Sequence, residues 1–187
     1  MNKFNMALIG ATCALISSQA AWGATSQIVK FNGEVTAGTC DISIVQGATF
    51  TFAKVSVDSL AAGKASEIKD LTSKINCATT NTPDLRIYGT VLSTPSAKTM
   101  IFRDASSESK DYGFMIRPKT TGVTAATFYD ENTAIKNNAI TSHGLTTGGA
   151  VAGSTKEWTV GMVRAAGSTA PSIGSVQASV TFLALFK

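Results

Sequence analysis

The sequence predicts an all-β domain, a sandwich or a barrel. Three observations carry this expectation. Short extended segments separated by turn chemistry fill most of the chain. No window of about twelve residues shows helical periodicity with caps at both ends. From Gly174 to Lys187 the chain is apolar at every second position through Val176, Ala178, Val180, Phe182, Ala184 and Phe186, which describes a half-buried strand.

Taken in order, Ile28–Thr36 opens the series with Val29, Phe31 and Val35 in one register, interrupted by Gly33. Thr39–Val45 alternates through Cys40, Ile42 and Ile44, and Ala48–Val57 carries Phe50, Phe52, Val55 and Val57. A turn at Ala61–Lys64 precedes Ile68–Cys77, and Asn81–Pro83 breaks the chain before Leu85–Leu92. Thr99–Phe102 is a short strand, and Asp104–Lys110 reads as a polar loop. Tyr112–Arg117 alternates through Phe114 and Ile116 and stops at Pro118. Phe128–Tyr129 and Ala134–Ile140 give weak signals. Gly144–Ser154 is a Gly/Thr-rich loop, Thr155–Ala165 a strand built on Trp158, Val160 and Met162, and Ala166–Ser172 a turn before the final strand. The best helical candidate is one turn near Leu60–Lys64.

The first 23 residues read as a targeting segment. Lys3 supplies a positive start and Met6–Ile16 an apolar run of eleven, too short to span a membrane. Cleavage is expected after Gly23, because a cut after Ala24 would put bulky Trp22 at the position where a small residue is read. Thr12 before Cys13 does not fit a lipoprotein signal. The expected product is an exported, freed chain of about 164 residues, enough for one domain with a real core. Only 15% of residues are charged and the net charge is +4, with no basic cluster interleaved with aromatics, which argues against a nucleic-acid partner.

Beyond the targeting segment two cysteines remain, Cys40 and Cys77. An even count in an exported protein reads as a disulfide, with two free buried thiols as the alternative. Closing the loop between them removes roughly 3.5–4 kcal/mol of unfolded-state entropy in the chain-entropy model.

Residues for catalysis are hard to assemble. The one histidine, His143, stands at a loop edge and reads as solvated; no serine sits in a nucleophile elbow. Gly148–Lys156 has the glycines of a phosphate loop in the wrong order and precedes a strand. Asp104, Glu108 and Asp111 lack the spacing of a calcium loop and read as a solvated cluster. No metal, cofactor or enzymatic activity is expected.

Several landmarks together match one family. Phe31-Asn32-Gly33-Glu34-Val35 is followed by Cys40 nine residues after Phe31, and Cys77 is the second cysteine. Gly174 lies fourteenth from the end and Phe186 is penultimate. With the targeting segment, these make the chain resemble the pilin subunits of chaperone–usher fimbriae, of the type 1-like kind, across nearly all of its length beyond residue 23. Phe186 stands where tyrosine is usual, keeping the ring without the hydroxyl. The segment ahead of the first strand is short and lacks the glycine often found there.

The resemblance implies an incomplete immunoglobulin-like sandwich that lacks its final strand and is completed by a donor strand. Residues 1–23 would be the signal peptide, 24–31 the donor extension and 32–187 the pilin domain. It implies a periplasmic chaperone that lends a strand and grips the carboxylate of Lys187, an outer-membrane usher, and neighbouring pilin subunits as partners. The final product would be a fimbrium at the cell surface that supports adhesion. The donor would use Ile28, Val29 and Phe31, with the Val29/Phe31 face favoured. Gly174, Val176, Val180, Phe182, Phe186 and Lys187 would contact the groove or chaperone. The alternative within the family is a minor adaptor or adhesive pilin that binds a host receptor. Outside it, a small secreted hydrolase or inhibitor is disfavoured by the missing active-site constellation.

Overall fold

The structure is a computed structural model that describes residues 40–77, 83–93, 98–143 and 154–185. Its elements run β1 (Cys40–Ile44), β2 (Lys64–Cys77), β3 (Asp84–Gly89), β4 (Val91–Leu92), β5 (Lys98–Phe102), β6 (Tyr112–Pro118), α1 (Ala125–Phe128), β7 (Ala139–Ser142), β8 (Ser154–Arg164) and β9 (Val180–Leu185). All pairings are antiparallel. Six strands form one sheet in the order β1-β2-β8-β6-β5-β4, and three form a second in the order β7-β3-β9.

Apolar side chains from both sheets meet between them. Leu71 and Ile75 on β2, Ile116 on β6, and Trp158 and Val160 on β8 pack with Leu85 and Ile87 on β3. The large sheet is also covered on its other face. Ala65, Ile101, Met115 and Val163 bury there with Phe128 of α1 and Ala134. Double coverage explains why β6 is buried at nearly every position, a pattern that blurs simple alternation. The fold is therefore all-β, a two-sheet sandwich with a single short helical turn among the described residues.

The cysteine pairing is present: Cys40 and Cys77 form a disulfide and face each other at the end of the β1–β2 ladder. Five expectations about elements need correction. Leu85–Leu92 is not one strand: β3 belongs to the small sheet and β4 to the large one. The chain changes sheets at Gly89–Thr90, where a β-carbon on Gly89 would lie 2.4 Å from the carbonyl oxygen of Ser179. Ala48–Val57 forms no ladder, because a turn after β1 carries it off the edge of β2, Gly47 N bonding Ile44 O at 3.0 Å. Phe128 ends a helical turn too short to show periodicity, and Leu60–Lys64 is a bend and turn that leads into β2. The final strand pairs with β3 only from Val180 to Leu185.

Candidate functional site

Between the 48–57 segment and the last strand lies an apolar groove of about 420 Å³. Its floor is Leu71, Phe114, Ile116 and Val160; its walls are Phe50 and Phe52 on one side and Val176, Ala178, Val180 and Phe182 on the other. Phe52 packs against Phe114, with ring centroids 5.2 Å apart. A smaller pocket of about 100 Å³ continues it past Val176, lined by Val55, Val57, Tyr112, Met162 and Gly174.

Both flanking edges, among the described residues, lack a ladder partner on the groove side. Among the described residues β1 pairs only with β2, and β9 only with β3. The apolar residues at 176, 178, 180, 182 and 184 are therefore half-buried, while 175, 177, 179, 181 and 183 are exposed. Alternation is intact and burial is incomplete, which is how the wall of an unfilled groove behaves.

Residues 174–179 are held from outside by the Asp104–Ser109 segment. Asp104 N donates to Gln177 O at 2.8 Å, and Glu108 N and Ser109 N donate to Ser175 O at 2.9 and 3.0 Å. The carboxylates complete the attachment. Asp104 accepts from Ser179 N and Oγ at 3.0 and 2.8 Å, and Glu108 from Ser175 N and Oγ at 3.2 and 3.1 Å. Two of the three acidic residues expected to be solvated are thus ladder substitutes. The third, Asp111, is buried and accepts from Ser168 Oγ at 2.8 Å.

Gly174 sits where this attachment begins. Its φ is +141°, and a β-carbon there would lie 2.6 Å from Glu108 Cβ and 2.7 Å from Ser109 N. Only glycine lets the chain approach that closely without displacement.

The expectation for His143 also needs correction. It is 3% exposed, because β7 ends beside the large sheet and turns the imidazole inward. Its Nε2 lies 3.2 Å from Ser73 Oγ, which accepts the Trp158 indole N–H at 2.9 Å. Burial first, then the Lys156 charge, push the imidazole below its ordinary value, against the hydrogen bond to Ser73. Lys156 Nζ donates to Ser142 O and stands 4.9 Å from the Trp158 ring centroid. A hydroxyl shared by an indole and an imidazole supports packing, and among the described residues no acid orients the ring as a base would require.

Of the residues expected at a functional site, Gly174, Val176, Val180 and Phe182 line the groove or its continuation. Ile28, Val29, Phe31, Phe186 and Lys187 lie outside the described residues. Sequence reasoning missed Phe50, Phe52 and Phe114 as groove residues, since aromatic residues in strand-like segments read simply as core.

The family model described as "Fimbrial protein" matches residues 29–187. No curated protein matches the chain. A search of solved structures finds the P pilus rod subunit PapA, 18% identical, covering 86% of this chain and 100% of that one, with a TM-score of 0.47. The family model spans well over half of the sequence, and the family is one of structural proteins: the chain belongs to the fimbrial protein family and is a structural pilin subunit of a surface fimbrium.

Proposed function

We propose that the groove seats a strand supplied by another polypeptide, and that the subunit polymerises into an adhesive fimbria by donor-strand exchange. The observation that carries this reading is an apolar groove of about 420 Å³ between two sheet edges that, among the described residues, have no strand between them. An inserted strand would gain main-chain hydrogen bonds from the edges and bury the half-exposed walls. Completing the burial of each large wall side chain is worth on the order of 1 kcal/mol, and several lie in one row.

In this reading residues 1–23 direct export and are removed. A periplasmic chaperone first fills the groove, touching Val180, Phe182 and Phe186 and holding the carboxylate of Lys187. At an outer-membrane usher, residues 24–31 of the next subunit take its place, with Val29 and Phe31 facing inward and Ile28 outward. A bare edge beside an apolar groove is an aggregation hazard, which gives the chaperone its purpose. Co-expression in a bacterial periplasm with and without a fimbrial chaperone tests the reading. A one-to-one complex with the chaperone, and degradation or aggregation without it, is the expected result. A soluble folded monomer that ignores the chaperone would overturn it.

A further inference from the structure

The two walls of the groove are held in different ways. Residues 174–179 are fixed by several main-chain and carboxylate hydrogen bonds to the 104–109 segment. The 48–57 wall crosses the edge of β2 with no ladder, because β1 pairs with β2 only at Ser73–Cys77. At its start, Gln46 exchanges two side-chain hydrogen bonds with Thr72, at 2.8 and 3.0 Å. At its end, Tyr112 Oη donates to Val57 O at 3.1 Å. Between them, Ala53 N donates to Glu67 Oε2 at 2.7 Å.

A register irregularity aims Glu67 at this point. Ala65 faces Val163 and Glu67 faces Met162, so Ser66 is an extra residue in β2. Ala65 buries on the outer face of the large sheet, and Leu71 faces the groove. Without the extra residue Glu67 would share the face of Ala65; with it, Glu67 shares the face of Leu71. Bulges re-aim side chains in this way. Lys69, on the same face, lies 2.9 Å from Glu67 Oε1 and 5.5 Å from the Phe52 ring centroid.

We infer that residues 48–57 form a movable strap and that Glu67, by clasping Ala53 N, is the positioning residue that sets this wall of the groove. Release of the clasp frees the strap to pair with an incoming strand, while the 174–179 wall stays in place. The Ala53 N–H is also the first cause holding the Glu67 carboxyl below its ordinary range. The gating role rests on the groove being a strand acceptor; the unequal hold on the two walls does not.

Hydrogen–deuterium exchange of the exported chain, taken from its chaperone complex and measured at once on dilution, before it aggregates, without and with a synthetic peptide of its own residues 24–34, separates the two. Amides of 48–57 are expected to exchange about tenfold faster than those of 175–179 without peptide. Glu67→Ala should raise exchange of 48–57 about threefold further and speed peptide uptake comparably, with 175–179 unchanged. Glu67→Gln, which keeps an acceptor oxygen, should restore most of the original behaviour. If Glu67→Ala fails to fold, Gln46→Ala loosens the other end of the strap and should act in the same direction. Equal exchange on both walls, or a Glu67→Ala chain with unaltered exchange at 48–57, would overturn the inference. Unequal walls with no peptide uptake would uphold the strap and contradict both its gating role and the strand-acceptor reading.

Discussion

Phe182 stands edge-on to Trp158, ring centroids 6.1 Å apart and planes inclined at 66°. The contact joins the groove wall to the centre of the sandwich, since Trp158 is fully buried. Phe182→Ala should therefore lower stability by about 1–2 kcal/mol, less than for a fully buried phenylalanine, because one side of the ring still faces the groove. Urea unfolding followed by Trp158 fluorescence measures this.

Ser73 Oγ accepts the indole N–H of Trp158 and meets the imidazole of His143. Ser73→Ala leaves both buried groups short of a partner and should cost about 1–3 kcal/mol. Ser73→Thr, which keeps the hydroxyl, separates lost hydrogen bonding from altered packing in the same unfolding measurement.

The His143 imidazole titrates below its ordinary 6.5 in the folded chain. The folded state thus binds this proton less readily than the unfolded state. The stability it contributes is complete above the unfolded-state value and is lost as the pH falls through the folded-state value. Urea midpoints should decline on acidification below about pH 6.5, and His143→Gln should flatten that decline. An unchanged slope would contradict the assignment.

A β-carbon at position 174 collides with Glu108 and Ser109. Gly174→Ala should destabilise the attached 174–179 wall by about 1–3 kcal/mol and raise amide exchange at residues 175–179 selectively. Uniform exchange across the molecule would point instead to global destabilisation.

The Cys40–Cys77 bridge ties the start of β1 to the end of β2. A Cys40→Ser/Cys77→Ser double variant should lose roughly 3–4 kcal/mol, measured against the oxidised parent.

The all-β class was legible because β2, β6, β8 and β9 each carry a period-two or doubly buried apolar pattern. The final strand's alternation marked one groove wall residue by residue, and Gly174 stood out by its position. The other wall was misread, since Phe50 and Phe52 alternate like a strand while the turn after Ile44 takes them off the ladder. Asp104 and Glu108 looked solvated because their partners, Ser179 and Ser175, lie some seventy residues away. His143 misled for a related reason: neighbours in sequence were polar, but β7 delivers it beside Trp158. Long-range pairing is the information that local pattern does not hold.

In the proposed assembly the groove receives a strand from another copy of the chain. A photo-crosslinking amino acid in place of Phe52, at the groove wall, tests it in assembled fimbriae. Donor-strand exchange predicts a crosslink to residues 24–31 of a second subunit, identified by mass spectrometry of the linked peptides. Crosslinks confined to the same chain, in fibres that assemble normally, would contradict it.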